Sequence, residues 1–582
     1  MKSNMTACPL DCYDACSIIY DNGAIKPIQE GYTNGFLCPH LNHYLETPRV
    51  ESPRYKGKNI SMQEALEKLE EILASSLKSE ILHYRGSGNF GLMQEVTDHF
   101  FANYGAVLTD GSLCDGAGEA GIINGRGSNK NMPLSEIAKS DVVIFWGRNP
   151  HVTSSHILPL IKDKKVIVID PVATKIAKSA DIFLQIKPHT DIFLALLLTR
   201  FVFINDSLDE EFIERYATEF EEYYELTQGV RIKATLENIG VSLGQIGDIL
   251  ELCIDKKVAI VCGVGVQKYR DGADILRAID AFGVSLGLFA KEGSGVAYLG
   301  NSKENITSAF TTKAKRVSKV NTKFDEFKTV FIQGANPVAQ MPDTLRVKNA
   351  LQRSENIIYF GLYENETSEI ADLVIPAKSF LEKNDIRTSY SHNGLLVMPQ
   401  QIESKIGISE YELAAYLCDR FDIALESESK YLQHYKNFGV QQSDGGIEVV
   451  GRESLPYKNG FDTPNREFVF LEEFEMQQKS IEDSFYLITP KSSKSLNSQF
   501  KRPQEVFVHP TLGYKDGEIV TISSENGELS LPIKNSNNLR EDTIVIYSGT
   551  KGVNNLTSSK HSYEGKSAIY QENRVQIRKM EL

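Results

Sequence analysis

Four cysteines near the start constrain this chain more than any other feature. Cys8, Cys12, Cys16 and Cys38 follow the spacing C-x3-C-x3-C-x21-C and are half of the eight cysteines present. No secretory leader precedes them, so a disulfide framework is not expected. Three thiols on a tight loop, with a fourth returning from a short excursion, can converge on one metal centre. Structural zinc prefers paired knuckles, whereas iron–sulfur clusters use a run of close cysteines plus a remote one. The pattern favours a [4Fe–4S] cluster over zinc, and both over four unrelated thiols. Turn formers surround the candidates: Pro9, Asp11 and Asp14 beside the first three, Gly31, Asn34 and Gly35 before the fourth.

A chain of 582 residues is too long for one core and implies roughly three or four domains. Its 41% apolar content and 24% charged content predict a globular chain without low-complexity tracts. The net charge of −14 argues against nucleic acid or an anionic membrane as partner. The longest apolar run, Ile192 to Phe203, is broken by Thr199 and Arg200 and is too short to span a bilayer. The first arginine is Arg49, so no twin-arginine signal opens the chain, and a cytoplasmic location is expected. Cys253, Cys262 and Cys418 lie in apolar surroundings and read as buried core thiols.

Further along, a capping box at Ser61-Met-Gln-Glu64 predicts an amphipathic helix to about Lys78. Continuous apolar runs then alternate with helical patterns. Strands are predicted at Ile81 to Tyr84, Asp141 to Trp146, Lys165 to Ile169, Asp181 to Ile186, Val258 to Cys262, Thr329 to Gln333, Ile357 to Phe360 and Leu373 to Ile375. This is the pattern of parallel sheets covered on both faces, an α/β fold. Gly, Asn and Asp cluster just after the strands, where such sheets bind ligands. Two of these ends echo each other: Gly147-Arg-Asn149-Pro150 and Gly334-Ala-Asn336-Pro337. A repeated domain, each copy holding a similar ligand, is the simplest account, since glycine lets a phosphate approach the backbone. The alternative is a turn former used twice. Residues 426–480 are polar and weakly patterned, and are expected to pack near the N-terminal lobe. From Phe485 short alternating runs predict a β-barrel-like domain. Cys114 lies in a glycine-rich loop, Thr109 to Gly118, where a thiol is better placed as nucleophile or metal ligand than as core.

The stretch Cys8-Pro-Leu-Asp-Cys12-Tyr-Asp-Ala-Cys16, with Gly35-Phe-Leu-Cys38-Pro, resembles the opening of the molybdopterin oxidoreductase family, the dimethyl-sulfoxide-reductase and formate-dehydrogenase superfamily. The resemblance implies a bis-molybdopterin guanine dinucleotide cofactor with molybdenum or tungsten, and one [4Fe–4S] cluster on Cys8, Cys12, Cys16 and Cys38. Cys114 matches the loop residue that ligates the metal. Gly147, Asn149, Ser155 and His156 resemble the phosphate and pterin segment. Asp170, Thr190 and Asp191 resemble the residues that read ribose or guanine, and a carboxylate suits the two donors of guanine's edge. Gly334 and Asn336 repeat the first task for the second dinucleotide, and Thr367 and Glu382 belong to a long matching stretch. Lys491, Ser492, Ser493, Asn554 and Asn555 fall where the C-terminal domain clamps both cofactors. Cys114, Asp115 and His156 are the catalytic candidates, with His151 a further acid–base candidate.

The implied architecture has four domains: an Fe–S lobe, two pseudo-symmetric Rossmann-like α/β domains and a C-terminal β-barrel. The lobe is expected at 1–54, completed by about 395–480. One α/β domain is expected at 55–115 with about 325–395, the other at 116–324, and the barrel at 483–582. The implied activity is two-electron redox of a small substrate, with a possible iron–sulfur electron-transfer partner, no nucleic acid and no membrane insertion. Formate-type relatives carry Cys-x-Lys at the fourth cysteine and a histidine after the metal ligand. Here His40 and Asp115 stand there, which argues against formate. Two other readings share the sequence: a non-redox tungsten hydratase, and a metal-free electron-transfer or structural subunit.

Overall fold

The computed structural model describes residues 4–29, 33, 35–42, 44–218, 220–310, 312–442, 445–453, 455–474 and 483–580. Gly31 and Asn34, read as turn formers, fall outside the described residues, as do 475–480 of the polar stretch.

Two parallel sheets carry the architecture. In the first, Ile182–Leu184, Lys165–Ile169, Val142–Trp146, Val258–Cys262 and Gly295–Ala297 lie side by side in that order, all parallel. Val142–Trp146 and Val258–Cys262 are buried along their whole lengths, which is why they read as unbroken apolar runs rather than alternating ones. Helix Asp191–Ile204 accounts for the long apolar run. It is apolar nearly all round because it is packed inside the domain. Among the described residues no helix is long and apolar enough to cross a membrane.

The second sheet has eight strands, ordered Arg316–Ser318, Val107–Asp110, Ile81–Arg85, Thr329–Gln333, Asn356–Gly361, Leu373–Pro376, Arg54–Tyr55 and Lys58–Asn59. The first six are mutually parallel, and the last two run antiparallel at the edge. The chain leaves this sheet after Asp110 and rejoins it at Arg316, so the five-stranded sheet is an insertion between two of its strands. Arg316–Ser318 lies ahead of residue 325, where the sequence placed the boundary. Ser61 caps helix Met62–Ser75 with the reciprocal Ser61–Glu64 box. The helix stops short of Lys78, where a separate 3-10 turn, Lys78–Glu80, takes over.

The N-terminal lobe is a three-stranded antiparallel sheet, Met5–Ala7, Ser17–Asp21 and Ala24–Pro27. Its core residues Ala7, Leu10 and Ile18 share one apolar cluster with Leu396 and Met398. Those two come from a four-stranded sheet built from Asp385–Arg387, Gly394–Met398, Gly446–Val449 and Gly439–Gln441. The polar stretch after Glu426 therefore divides. Its strands up to Val449 join the sheet beside the lobe. Tyr457, Phe461, Phe468 and Phe470 instead enter the core of the five-stranded domain. The chain ends in a closed barrel of Phe485–Ile488, Thr543–Val545, Val506–Val508, Glu528–Asn535, Ile519–Ser523 and Arg574–Lys579. Closure removes the exposed strand edges.

Candidate functional site

Cys8, Cys12 and Cys16 sit on the loop joining the antiparallel strands Met5–Ala7 and Ser17–Asp21, and Cys38 heads the short helix Pro39–Asn42. The loop is closed by Cys8 N–H donating to the Cys16 carbonyl at 2.8 Å, and Ala15 takes the left-handed φ of 49° to make the turn. All four thiols line one cavity, walled also by Leu10, Leu37, Leu41 and the segment Val152 to His156. Burial pushes Cys8 up to about 11 and Cys12 and Cys38 up to about 12, and Cys16 well above the ordinary thiol range. Four desolvated thiols that also repel one another as thiolates are costly to ionise without a cation among them. The residues present fit a four-iron cluster: four soft donors around one enclosed space, whose wall mixes Leu10, Leu37 and Leu41 with polar groups such as Asp14 and His156.

Asp14, Cys16 and His156 also converge within 4.8 Å. His156 Nδ1 lies 2.9 Å from Asp14 Oδ2 and 3.4 Å from Cys16 Sγ, and its ring stacks on Phe36. His156, offered from the sequence as catalytic and pterin-binding, thus makes its contacts with the cysteine lobe. Burial and the nearby Lys175 lower the pKa of His151, and its backbone N–H donates to Asn149 Oδ1 at 3.2 Å. His40 is buried against the C-terminal domain, its Nε2 2.8 Å from the Ser492 carbonyl.

Cys114 lies in the turn between strand Val107–Asp110 and helix Gly116–Arg126. Its side chain is exposed to open space, yet the thiol is pushed up to about 12, by burial first and then by Asp115. Ser112 fixes the turn: its Oγ accepts the Cys114 N–H at 2.9 Å and donates to Asp115 Oδ1 at 2.8 Å. Gln267 bridges the turn to the helix, donating to the Cys114 carbonyl at 2.8 Å and accepting Gly118 N–H at 3.0 Å. Lys268 donates to the Leu113 carbonyl, and burial lowers it to about 8. The glycines of this segment serve close packing. A Cβ on Gly118 would sit 2.8 Å from the Tyr298 ring, and one on Gly121 2.1 Å from the Ala273 carbonyl. Gln267 and Lys268 hold this turn, and Tyr298 packs on Gly118, each from more than a hundred residues away, so the sequence does not mark them.

The two Gly-x-Asn-Pro strand ends occupy equivalent places in the two sheets. Gly147 and Gly334 have left-handed φ values of 61° and 54°. Gly147 N–H donates to Ile169 of one neighbouring strand at 2.7 Å, and Gly334 N–H does the same to Phe360 at 2.9 Å. On the other side Gly263 donates to Trp146 at 2.8 Å, and Gly86 to Gln333 at 2.8 Å. Each motif is therefore flanked by a second glycine at the end of the adjacent strand. Asp170 and Asp191 stand at the same sheet end as Gly147. Both are buried carboxyls, pushed up to about 7 and about 6 chiefly by desolvation. Thr190 Oγ1 donates to the Lys187 carbonyl at 2.6 Å. Ser155 is buried, and its Oγ has no partner among the described residues.

In the second sheet Asn336 ties loops together. It donates to Glu366 at 2.8 Å and Ser498 at 3.1 Å, and accepts from Thr367 Oγ1 at 2.8 Å. Glu382 is occupied by protein donors: both its oxygens take Arg49, and Ser379 N–H donates at 2.7 Å. From the C-terminal domain, Asn554 donates to the Ala339 carbonyl at 2.8 Å, fastening this domain to the short helix Pro337–Gln340. Lys491 donates to Asn497, Ser492 is buried under His40, Ser493 is exposed and Asn555 half-buried.

A family model described as molybdopterin oxidoreductase matches residues 62–398, which is more than half of the chain. The chain belongs to the molybdopterin oxidoreductase family. A second family model, described as "Molydopterin dinucleotide binding domain", matches residues 485–572, which hold five of the six barrel strands. The chain is similar to the probable oxidoreductase YyaE of Bacillus subtilis (strain 168), 27% identical over 88% of this chain and 84% of that one. It is similar also to the probable oxidoreductase YoaE of the same organism, 24% identical over 99% and 98%. Among solved structures it shares the fold of acetylene hydratase from Pelobacter acetylenicus, with a TM-score of 0.81 at 16% identity, covering 99% of this chain and 100% of that one.

Membership of this family makes the chain an enzyme, and most of its C-terminal barrel matches a dinucleotide-binding domain model. The four-domain expectation drawn from the sequence stands.

Proposed function

We propose that this enzyme is a bis-molybdopterin guanine dinucleotide oxidoreductase, with molybdenum or tungsten, one [4Fe–4S] cluster and a metal ligated by Cys114. The observation that carries the reading is a shared wall. The segment leaving Asn149-Pro150 runs through Val152 to His156 and forms part of the cavity lined by Cys8, Cys12, Cys16 and Cys38. A dinucleotide held at Gly147 and a cluster held by those thiols would then be neighbours, joined by a few residues of chain.

Gly147, Asn149, Ser155, Asp170, Thr190 and Asp191 would hold one dinucleotide, and Gly334, Asn336 and Thr367 the other. Lys491, Ser492, Ser493, Asn554 and Asn555 would close over both from the barrel. The 116–324 and 55–115 with 325–395 divisions are the proposed units, each centred on one parallel sheet. The bound metal supplies two-electron chemistry, and the protein orients the substrate and manages protons. Asp115, fixed by Ser112, is the carboxylate beside the proposed ligand that can take or return a proton. His156 supports the cluster lobe in this account. A cytoplasmic setting, where thiols stay reduced, suits the cluster, and its electrons would pass to an iron–sulfur protein.

The fold likeness to acetylene hydratase keeps a non-redox hydration as the second reading, with Asp115 as its acid. Freeze-quenched electron paramagnetic resonance of anaerobic enzyme mixed with candidate substrates separates the two. Reduction or oxidation of the cluster in step with turnover supports the redox reading. Product formation with an unchanging cluster signal supports hydration.

A further inference from the structure

Arg387 is among the most deeply buried large side chains of the molecule, at 1% exposure. It projects from strand Asp385–Arg387 of the sheet that packs on the N-terminal lobe. Its guanidinium donates from Nη1 to the Cys8 carbonyl and from Nη2 to the Cys12 carbonyl, the latter at 3.2 Å. Its Nε is buried without a partner among the described residues, and its face lies 5.5 Å above the Phe90 ring. No carboxylate pairs with it among the described residues. The nearby Asp385 is held instead by Met93 N–H at 3.0 Å, Ile386 N–H at 2.8 Å and Asn89 Nδ2 at 3.2 Å.

A buried guanidinium that meets only carbonyls and an aromatic ring, with its Nε–H unpartnered among the described residues, has no anion there to balance its charge. Such charges are found paired with an anion or beside a metal centre. What lies against this one is the backbone of two of the four cysteines. A four-iron cluster on four thiolates is a net anion in either oxidation state, and becomes more negative by one charge on reduction. We propose that Arg387 is the counter-charge of the N-terminal cluster and raises its reduction potential by favouring the more negative, reduced form. Cluster potentials respond to net charge and to burial, so a fixed, buried cation beside the cluster is an effective lever. The inference rests on the cluster reading above.

The test is an anaerobic redox titration of the purified full-length enzyme, followed by the cluster's paramagnetic resonance and checked for iron content. Dithionite supplies the single electron that enters the cluster. Arg387→Gln keeps a donor for the carbonyls and removes the charge, whereas Arg387→Lys keeps the charge. The glutamine variant is expected to bind its iron, with its reduced-to-oxidised ratio at a fixed poise lowered about tenfold, or 59 mV for a one-electron couple. The lysine variant should stay near the parent. Loss of iron in the glutamine variant alone would also support the proposal, since charge would then be needed to assemble the cluster. A glutamine variant within about twofold of the parent overturns it. So does a lysine variant that behaves like the glutamine one, or loss of iron from both, because the arginine would then only pin the loop. A parent protein without iron instead sinks the cluster reading itself.

Discussion

The indole Nε1–H of Trp146 donates to Asp191 Oδ1 across 2.8 Å, joining a central strand end of the five-stranded sheet to the first turn of helix Asp191–Ile204. Both side chains are buried, and Trp146 is the single tryptophan of the chain. Burial raises Asp191 to about 6, and the indole hydrogen bond offsets part of that rise. In protein freed of cofactor, Trp146 emission should therefore change with a midpoint near 6, and Asp191→Asn should remove the change. Emission that stays flat from about pH 4 to about pH 8 would show that Asp191 does not titrate beside the indole.

Asp170 gives the matching effect on stability. Its folded value is raised to about 7, while an unfolded aspartate titrates near 3.9. Between those values the folded protein holds a proton that the unfolded chain has released, so stability falls as pH rises through the window. Asp170→Asn should make cofactor-free protein melt higher than the parent at about pH 8 and equally at about pH 4. A bound ligand that donates to the carboxylate would stabilise its ionised form and reverse the sign. Thermal melts at the two pH values, with and without cofactor, check both statements.

The flanking glycines offer a steric prediction. A Cβ on Gly263 would fall 1.8 Å from the Gly147 carbonyl oxygen, and one on Gly86 2.4 Å from that of Gly334. Gly263→Ala and Gly86→Ala should each force a strand end aside and cost about 1–3 kcal/mol or more, read by denaturant melts. Gly247 serves as the control. It sits in helix Leu243–Cys253 with nothing within 4 Å, so Gly247→Ala should stabilise by about 1 kcal/mol. If all three variants behave alike, close approach at the strand ends is not what requires glycine there.

Much of this arrangement is legible in the sequence, and the reasons are physical. Val142–Trp146 and Thr329–Gln333 announce themselves because a strand buried on both faces must be continuously apolar. The glycine that follows each is visible because the chain turns there with a positive φ. Cys8, Cys12, Cys16 and Cys38 are visible through their spacing. What the sequence hides is pairing over long separations. Arg387 reaches Cys8 and Cys12, Gln267 reaches Cys114, and Arg49 claims Glu382, yet none of these pairs leaves a periodic trace. His156 makes a pairing of the same kind: its ring meets Asp14 and Cys16 of the N-terminal loop, more than a hundred residues earlier in the chain.

Cys114 can be tested without touching its neighbours. Cys114→Ser keeps the Ser112 and Gln267 hydrogen bonds, which use only backbone atoms of residue 114. A coordinating thiol is held deprotonated by its cation, and a serine oxygen is a harder donor of much higher pKa. Fold and cofactor content should persist while activity falls by at least about tenfold. X-ray absorption at the metal edge should lose one sulfur neighbour. An unchanged sulfur count in the serine variant would mean that Cys114 is not a ligand in that state.

The central claim is that two equivalent strand ends, at Gly147 and Gly334, hold two guanine dinucleotides around one metal. Anaerobically purified protein, analysed for molybdenum and tungsten and for nucleotide released by mild acid, tests it most directly. The account predicts one metal atom and two guanine nucleotides per chain. A single nucleotide, a nicotinamide or flavin in its place, or protein free of both metals would contradict it.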